Sequence, residues 1–167
     1  MTSFTKEIEI NASKGKVWAA LANVGDICHA HPSVLTSNLT STQSVGVGTT
    51  RHCNFTMMGA TSEERVTVWI EGESMTIEAY ELKRLPGIKS MIVKFSVREN
   101  GNNSILTTTM EYTMKNPLFS LMNQLVMKKM NEKLLNGIVA GHKKYIEEGE
   151  IVTQKTVLAL NKVVTIK

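Results

Sequence analysis

Aromatic residues are scarce: two Trp, three Tyr and four Phe make up 5% of the 167 residues. Proteins that bind nucleic acid usually combine stacking rings with a concentrated basic face. Here nineteen Lys plus Arg oppose fifteen Asp plus Glu, a formal charge of only +4, with lysine pairs at 128–129 and 143–144. Nucleic acid is therefore not expected as a partner. Cysteine is scarcer still, and Cys28 and Cys53 alone cannot build a disulfide framework. No run reaches the roughly 20 apolar residues that cross a bilayer, and the opening "MTSFTKEIEI" lacks the apolar segment of a secretion leader. The expectation is a cytoplasmic protein with reduced thiols and no integral membrane segment.

Motifs are missing as well. There is no P-loop, no G-x-S-x-G elbow and no H-E-x-x-H. Gly46-Val47-Gly48 does not begin a dinucleotide fingerprint, because Arg51 stands where the third glycine belongs and a strand pattern follows. Cys28, His29, His31, His52 and Cys53 are metal-ligand types. Yet "CHAH" and "HC" match no closed-site spacing, and His52 and Cys53 should point to opposite faces of a strand. Neither a metal nor a cofactor is expected, and His31 is placed at the mouth of a cavity.

What is present is periodicity. With 42% apolar and 20% charged residues, the chain should form one domain over residues 1–150, leaving 151–167 as an extension that could be a strand, a short helix or loosely docked chain. "SFTKEIEI" alternates as a strand, although Lys6 interrupts its apolar face, and "NASKGKVWAALANV" follows as a helix capped by Asn11 or Ser13. From 34 to 114 the period is two, enough for six antiparallel strands with turns at Met58-Gly59-Ala60 and Leu85-Pro86-Gly87. Asn116-Pro117 then opens a helix of about 30 residues running toward Gly149. Met122, Val126, Met130, Leu134 and Ile138 recur along it every four residues, so one side should lie on an apolar surface.

The succession of "KVWAALANV", "HPS", "VGVGTTRHCNF", "EERVTVWIEG" and "NPLFSLMNQLVMKKM" resembles the START / Bet v 1-like (SRPBCC) superfamily, in its polyketide cyclase/dehydratase-like branch, over residues 3–148. The resemblance implies an α+β helix-grip fold, a curved antiparallel sheet wrapped around a long C-terminal helix with two short helices after the first strand. It also implies an apolar cavity between sheet and helix. Alternation and helical spacing nominate the residues that face it. Arg51 and Phe55 belong to one strand, Glu64, Val66 and Val68 to the next, and Ile77, Val93, Phe95, Met110 and Tyr112 to the following three. Met122, Met130, Leu134 and Ile138 come from the helix.

A ligand burying about 300 Å² of apolar surface there could gain about 7 kcal/mol before ordering costs. The expected function is binding of a small hydrophobic or amphipathic molecule (lipid, quinone or polyketide-like) by a monomer or homodimer. A cyclase/dehydratase-like enzyme is one alternative, with Arg51, Glu64 and Tyr112 orienting substrate, and Glu111, Tyr80 and His142 as further acid or base candidates. A protein or membrane-surface interaction module is the other. Arg51 and Glu64, both inward on neighbouring strands, either orient the ligand or form a structural bridge. Gly137 and Gly141 inside the helix imply close approach of sheet backbone or ligand, or a kink.

Overall fold

The computed structural model describes residues 1–166 apart from Met58 and Pro86, which fall in two of the expected turns; the side chains of Asn123 and Leu125 are also outside the description. Strand β1 (Thr2–Ile10) is followed by helix α1 (Lys14–Ala22) and a 3₁₀ segment, Val24–His29. Ser13 caps α1 by accepting from the Lys16 N–H at 3.4 Å. Then come β2 (Val34–Leu39), β3 (Thr50–Phe55), β4 (Thr61–Ile70), β5 (Ser74–Lys83), β6 (Ile88–Asn100) and β7 (Asn103–Met114), the six strands expected from the alternation. Helix α2 (Pro117–Met122), a π-helical turn (Asn123–Met127) and α3 (Lys128–Glu148) form the long C-terminal element. Asn116 starts it, its side-chain oxygen accepting from the Phe119 N–H at 3.0 Å, and Gly149 ends it in the left-handed conformation, φ 71°.

All strands pair antiparallel in one sheet of order β2-β3-β4-β5-β6-β7-β1-β8, the last strand being Val164–Ile166. Because side chains alternate, register converts sequence into rows across the face that meets α3. One row runs Arg51, Glu64, Ala79, Met91, Tyr112; the next Val66, Ile77, Val93, Met110, Phe4; the third contains Met75, Phe95, Thr108 and Lys6. The middle row is entirely apolar, and α3 lies over it.

Two expectations fail for identifiable reasons. Alternation puts Val68 on the inner face with Val66, but a bulge between them shifts the register, and Val68 is 45% exposed. Trp69 turns inward instead, edge-on to Trp18 with ring centroids 5.1 Å apart. Glu71 holds both indoles, accepting from Trp18 at 2.7 Å and from Trp69 at 2.8 Å. On the long helix, Met122, Val126 and Met130 are exposed, whereas Met127, Asn131, Leu135, Ile138, Val139, His142 and Ile146 are buried. Residues four apart over-rotate by about 40° per step on an α-helix, so a strict four-residue repeat leaves its face. The π turn adds a further residue to the register at 123–127.

The last residues are tied down. Val152 N–H donates to the His29 carbonyl at 2.9 Å, and β8 (Val164–Ile166) adds to the edge of the sheet beside β1. Lys6, the charge that interrupts the first strand, is buried there: its Nζ donates to Glu132 and to Thr165, each at 2.6 Å.

Candidate functional site

Between the sheet and α3 lies a cavity with an apolar wall. Ile77 and Ala79 come from β5, Met91, Val93 and Phe95 from β6, and Met110 from β7. Leu134 and Ile138 close it from α3; Ile27 and Phe55 flank it. The polar groups His31, Arg51 and Glu64 sit together on the β3–β4 side. The volume is about 60 Å³. A hole that accepts benzene is about 150 Å³, and sites for small molecules usually measure about 300–1,000 Å³. The gap anticipated from the sequence therefore exists, but at this volume it is smaller than any of the ligands considered there.

The polar side is internally paired. Arg51 donates through Nε and Nη2 to Oε2 of Glu64, at 2.8 and 2.5 Å, and through Nη1 to the Val24 carbonyl at 2.7 Å. Glu64 Oε1 accepts from the Ser62 hydroxyl at 2.7 Å. Burial opposes the guanidinium charge, but the Glu64 carboxylate more than offsets it, and the Arg51 pKa lies above its ordinary value. Burial raises the neighbouring Cys53 thiol to about 11, so it is unreactive.

Two histidines are buried nearby. Burial, with His142 and Arg51 close by, pushes the His31 pKa down to about 3. Burial does the same to His142, to about 4, against the opposing hydrogen bond to Ile138. Both rings are neutral at pH 7, and their partners define the tautomers. The Ser33 N–H donates to His31 Nδ1 at 3.1 Å, so the His31 proton is on Nε2. His142 Nδ1 lies 2.8 Å from the Ile138 carbonyl, which can only accept, so that proton is on Nδ1. The His31 Nε2–H has no hydrogen-bond partner among the described residues, which leaves a neutral donor in the cavity wall.

Of the residues nominated from sequence, Arg51, Phe55, Glu64, Ile77, Val93, Phe95, Met110, Leu134 and Ile138 come together around the cavity. Val66 and Tyr112 are buried in the core but do not line it, and Tyr112 packs against Phe4 with ring centroids 6.1 Å apart. Val68, Met122 and Met130 are on the surface. Of the acid or base candidates, Glu111 pairs with Lys94 at 2.6 Å, and the Tyr80 ring lies 5.4 Å under Arg65, outside the cavity. The residues nominated from sequence do not include Ala79, Met91, Ile27 or His31, the last of which is expected only at the mouth. Alternation with Ile77 and with Val93 would have found the first two, whereas Ile27 lies in a 3₁₀ segment that has no such signal.

His52 faces the other side of β3, with Nδ1 2.5 Å from Glu63. Among the described residues, no three His, Cys, Asp or Glu side chains cluster as metal ligands. The glycines of α3 serve the connection before β2. A Cβ on Gly141 would collide with the Ala30 carbonyl oxygen, whereas one on Gly137 would sit 3.4 Å from Pro32. The close neighbour is thus the loop after the 3₁₀ segment, in place of the expected sheet backbone or ligand.

The architecture recurs in known structures. The chain is similar to a protein of Thermus thermophilus (13% identity, TM-score 0.72, covering 87% of this chain and 97% of that one). It is also similar to a START superfamily protein of Mycobacterium smegmatis (12%, 0.64, 82% and 94%). A third is norcoclaurine synthase from Thalictrum flavum, solved in complex with dopamine and hydroxybenzaldehyde (17%, 0.66, 89% and 88%). At such identities the likeness is one of fold. No curated protein matches by sequence. The family model described as polyketide cyclase / dehydrase and lipid transport matches residues 1–147. With that match over most of its length, a single curved sheet and a helix gripping an apolar hollow, the chain belongs to the polyketide cyclase / dehydrase and lipid transport family.

Proposed function

We propose that this protein binds a small amphipathic molecule with a flat apolar body of one or two rings and one hydrogen-bond acceptor, held between the sheet and α3. The observation that carries this reading is the division of the cavity wall. Ten apolar residues surround the hollow, and its polar groups are gathered on one side. The apolar body meets Ile77, Val93, Phe95 and Ile138, and the acceptor meets the Nε2–H of His31. Entry requires the hollow to grow. Met91 and Met110, whose unbranched thioether chains change shape at low cost, are the parts of the wall suited to yield. The small volume favours a compact ring system over a long lipid chain. A neighbour of the same fold accommodates dopamine and hydroxybenzaldehyde, molecules of this size and polarity.

Binding is favoured over catalysis because the polar groups of the wall are either shifted away from neutrality or already engaged with one another. His31 is held at about 3, Arg51 is raised, and Glu64 already accepts three hydrogen bonds. Native mass spectrometry after gentle purification tests the proposal. A discrete added mass of one small molecule, lost on denaturation, is the expected result; the bare chain mass, unchanged after incubation with small aromatic amphiphiles, counts against it.

A further inference from the structure

The pole of the molecule around α2 carries a surface that the cavity does not explain. Phe119 packs inward over Gly87, where even a Cβ would come within 2.6 Å of its ring. Lys115 N–H donates to the Gly87 carbonyl at 2.8 Å, fastening the start of α2 to the β5–β6 turn. With Phe119 turned in, Leu118, Leu121, Met122 and Val126 face solvent, Leu118 at 66% and Val126 at 67% exposure. Four large apolar side chains within nine residues form a contiguous exposed stripe, which a water-facing helix does not need.

The unpaired charges around this stripe all have one sign, since Glu132, beside Lys133, is already held by Lys6. Between Tyr112 and Asn131 there is no Asp or Glu, and between Leu82 and Arg98 there is none either. Arg84, Lys89, Lys115, Lys128, Lys129 and Lys133 are exposed there, and none pairs with a carboxylate among the described residues. The carboxylates gather elsewhere, as at Glu147, Glu148 and Glu150, where lysines already neutralise them. A modest net charge thus conceals a strongly polarised molecule.

We propose that this pole is a peripheral docking surface for anionic lipid bilayers, with Leu118, Leu121, Met122 and Val126 entering the headgroup–acyl boundary and the surrounding cations engaging lipid phosphates and carboxylates. Apolar side chains ringed by unpaired lysines match both components of such a surface. A protein partner is less suited, because it would have to cover a greasy stripe while supplying carboxylates around its whole rim. The segment lies on the water–lipid boundary and does not cross it: no helix among the described residues is long and apolar enough to span a membrane. This surface stands apart from the cavity reading, and either can fail alone.

Flotation of the full chain with vesicles tests it. Phosphatidylcholine vesicles containing 30% phosphatidylserine should carry the protein upward at low salt, and pure phosphatidylcholine vesicles should carry far less. Each of K128A and K129A should lower the partition coefficient about fivefold, and 0.5 M salt should remove most of the charge-dependent part. L121E with V126E, both at exposed positions, should abolish flotation while leaving the circular-dichroism melt unchanged. Absence of flotation with anionic vesicles, or equal flotation of wild type and L121E/V126E, overturns the proposal. So does a concentration-dependent dimer that L121E/V126E disrupts in the absence of any vesicle binding.

Discussion

Replacing Arg51 with methionine keeps an unbranched apolar stem but removes the charge from a buried pair. In the structure this deletes three hydrogen bonds: two to Glu64 Oε2, at 2.8 and 2.5 Å, and one to the Val24 carbonyl at 2.7 Å. Glu64, itself buried, retains only the Ser62 hydroxyl at 2.7 Å. Stranding one member of a buried ion pair costs about 3–5 kcal/mol. At a urea m-value of about 2 kcal/mol/M, that lowers the unfolding midpoint by about 1.5–2.5 M. The double variant R51M/E64L removes the stranded charge and should recover most of the loss, since buried pairs are commonly no more stabilising than apolar residues of similar volume. Urea denaturation of wild type, R51M, E64L and R51M/E64L at pH 7 gives the coupling directly. In parallel, titration with a fluorescent aromatic amphiphile should show R51M/E64L binding within threefold of wild type, because the guanidinium and carboxylate are occupied with each other and His31 supplies the donor. A loss under 1 kcal/mol for R51M would refute the claim of a buried structural pair. Restored stability with affinity lowered tenfold or more would show that the pair orients the ligand.

Acid should weaken the fold through the buried histidines. His31 and His142 titrate at about 3 and about 4 when folded and near 6.5 when unfolded. The unfolded chain therefore binds more protons, and stability is complete above pH 6.5 and falls as pH drops toward 4. Each histidine contributes a slope of about 1.4 kcal/mol per pH unit. Urea midpoints between pH 4.5 and 7 should follow this trend, and H142Q should halve the slope; a flat profile contradicts the burial of both rings. Helix propensity alone makes both G137A and G141A favourable by about 1 kcal/mol. The collision with the Ala30 carbonyl makes G141A a net loss of about 2 kcal/mol or more, whereas G137A, whose new Cβ has 3.4 Å to Pro32, should be neutral or stabilising. Thermal melts of the two variants check the contrast, which equal melting points would remove.

Much of this architecture is legible in the chain because alternation is a strict rule. Arg51, Glu64, Ile77, Val93, Phe95 and Met110 could be assigned to one face without coordinates, and register placed them around a common space. The failures occur where local periodicity is interrupted by something non-local. The β4 bulge that expels Val68 is matched by Trp69 docking against Trp18, fifty-one positions earlier in the chain. The π turn ahead of α3 changes which residues face the sheet, so Asn131 is buried and Met130 is not. Lys6 looked like a defect in an apolar strand because its partners, Glu132 and Thr165, are over a hundred residues away. Cavity volume is the least legible quantity of all, since it is the small remainder left when large side chains interdigitate.

The central claim is that the hollow under α3 opens to take one small apolar guest. Methyl-resolved NMR during titration with acetylnaphthalene, two fused rings with one carbonyl acceptor, examines it residue by residue. Saturable one-to-one shifts at the methyl groups of Ile77, Met91, Val93, Met110, Leu134 and Ile138, with the exposed methyl groups of Leu118 and Val126 unmoved, is the predicted result. Shifts confined to those surface positions, or none in the interior at millimolar probe, would contradict the account.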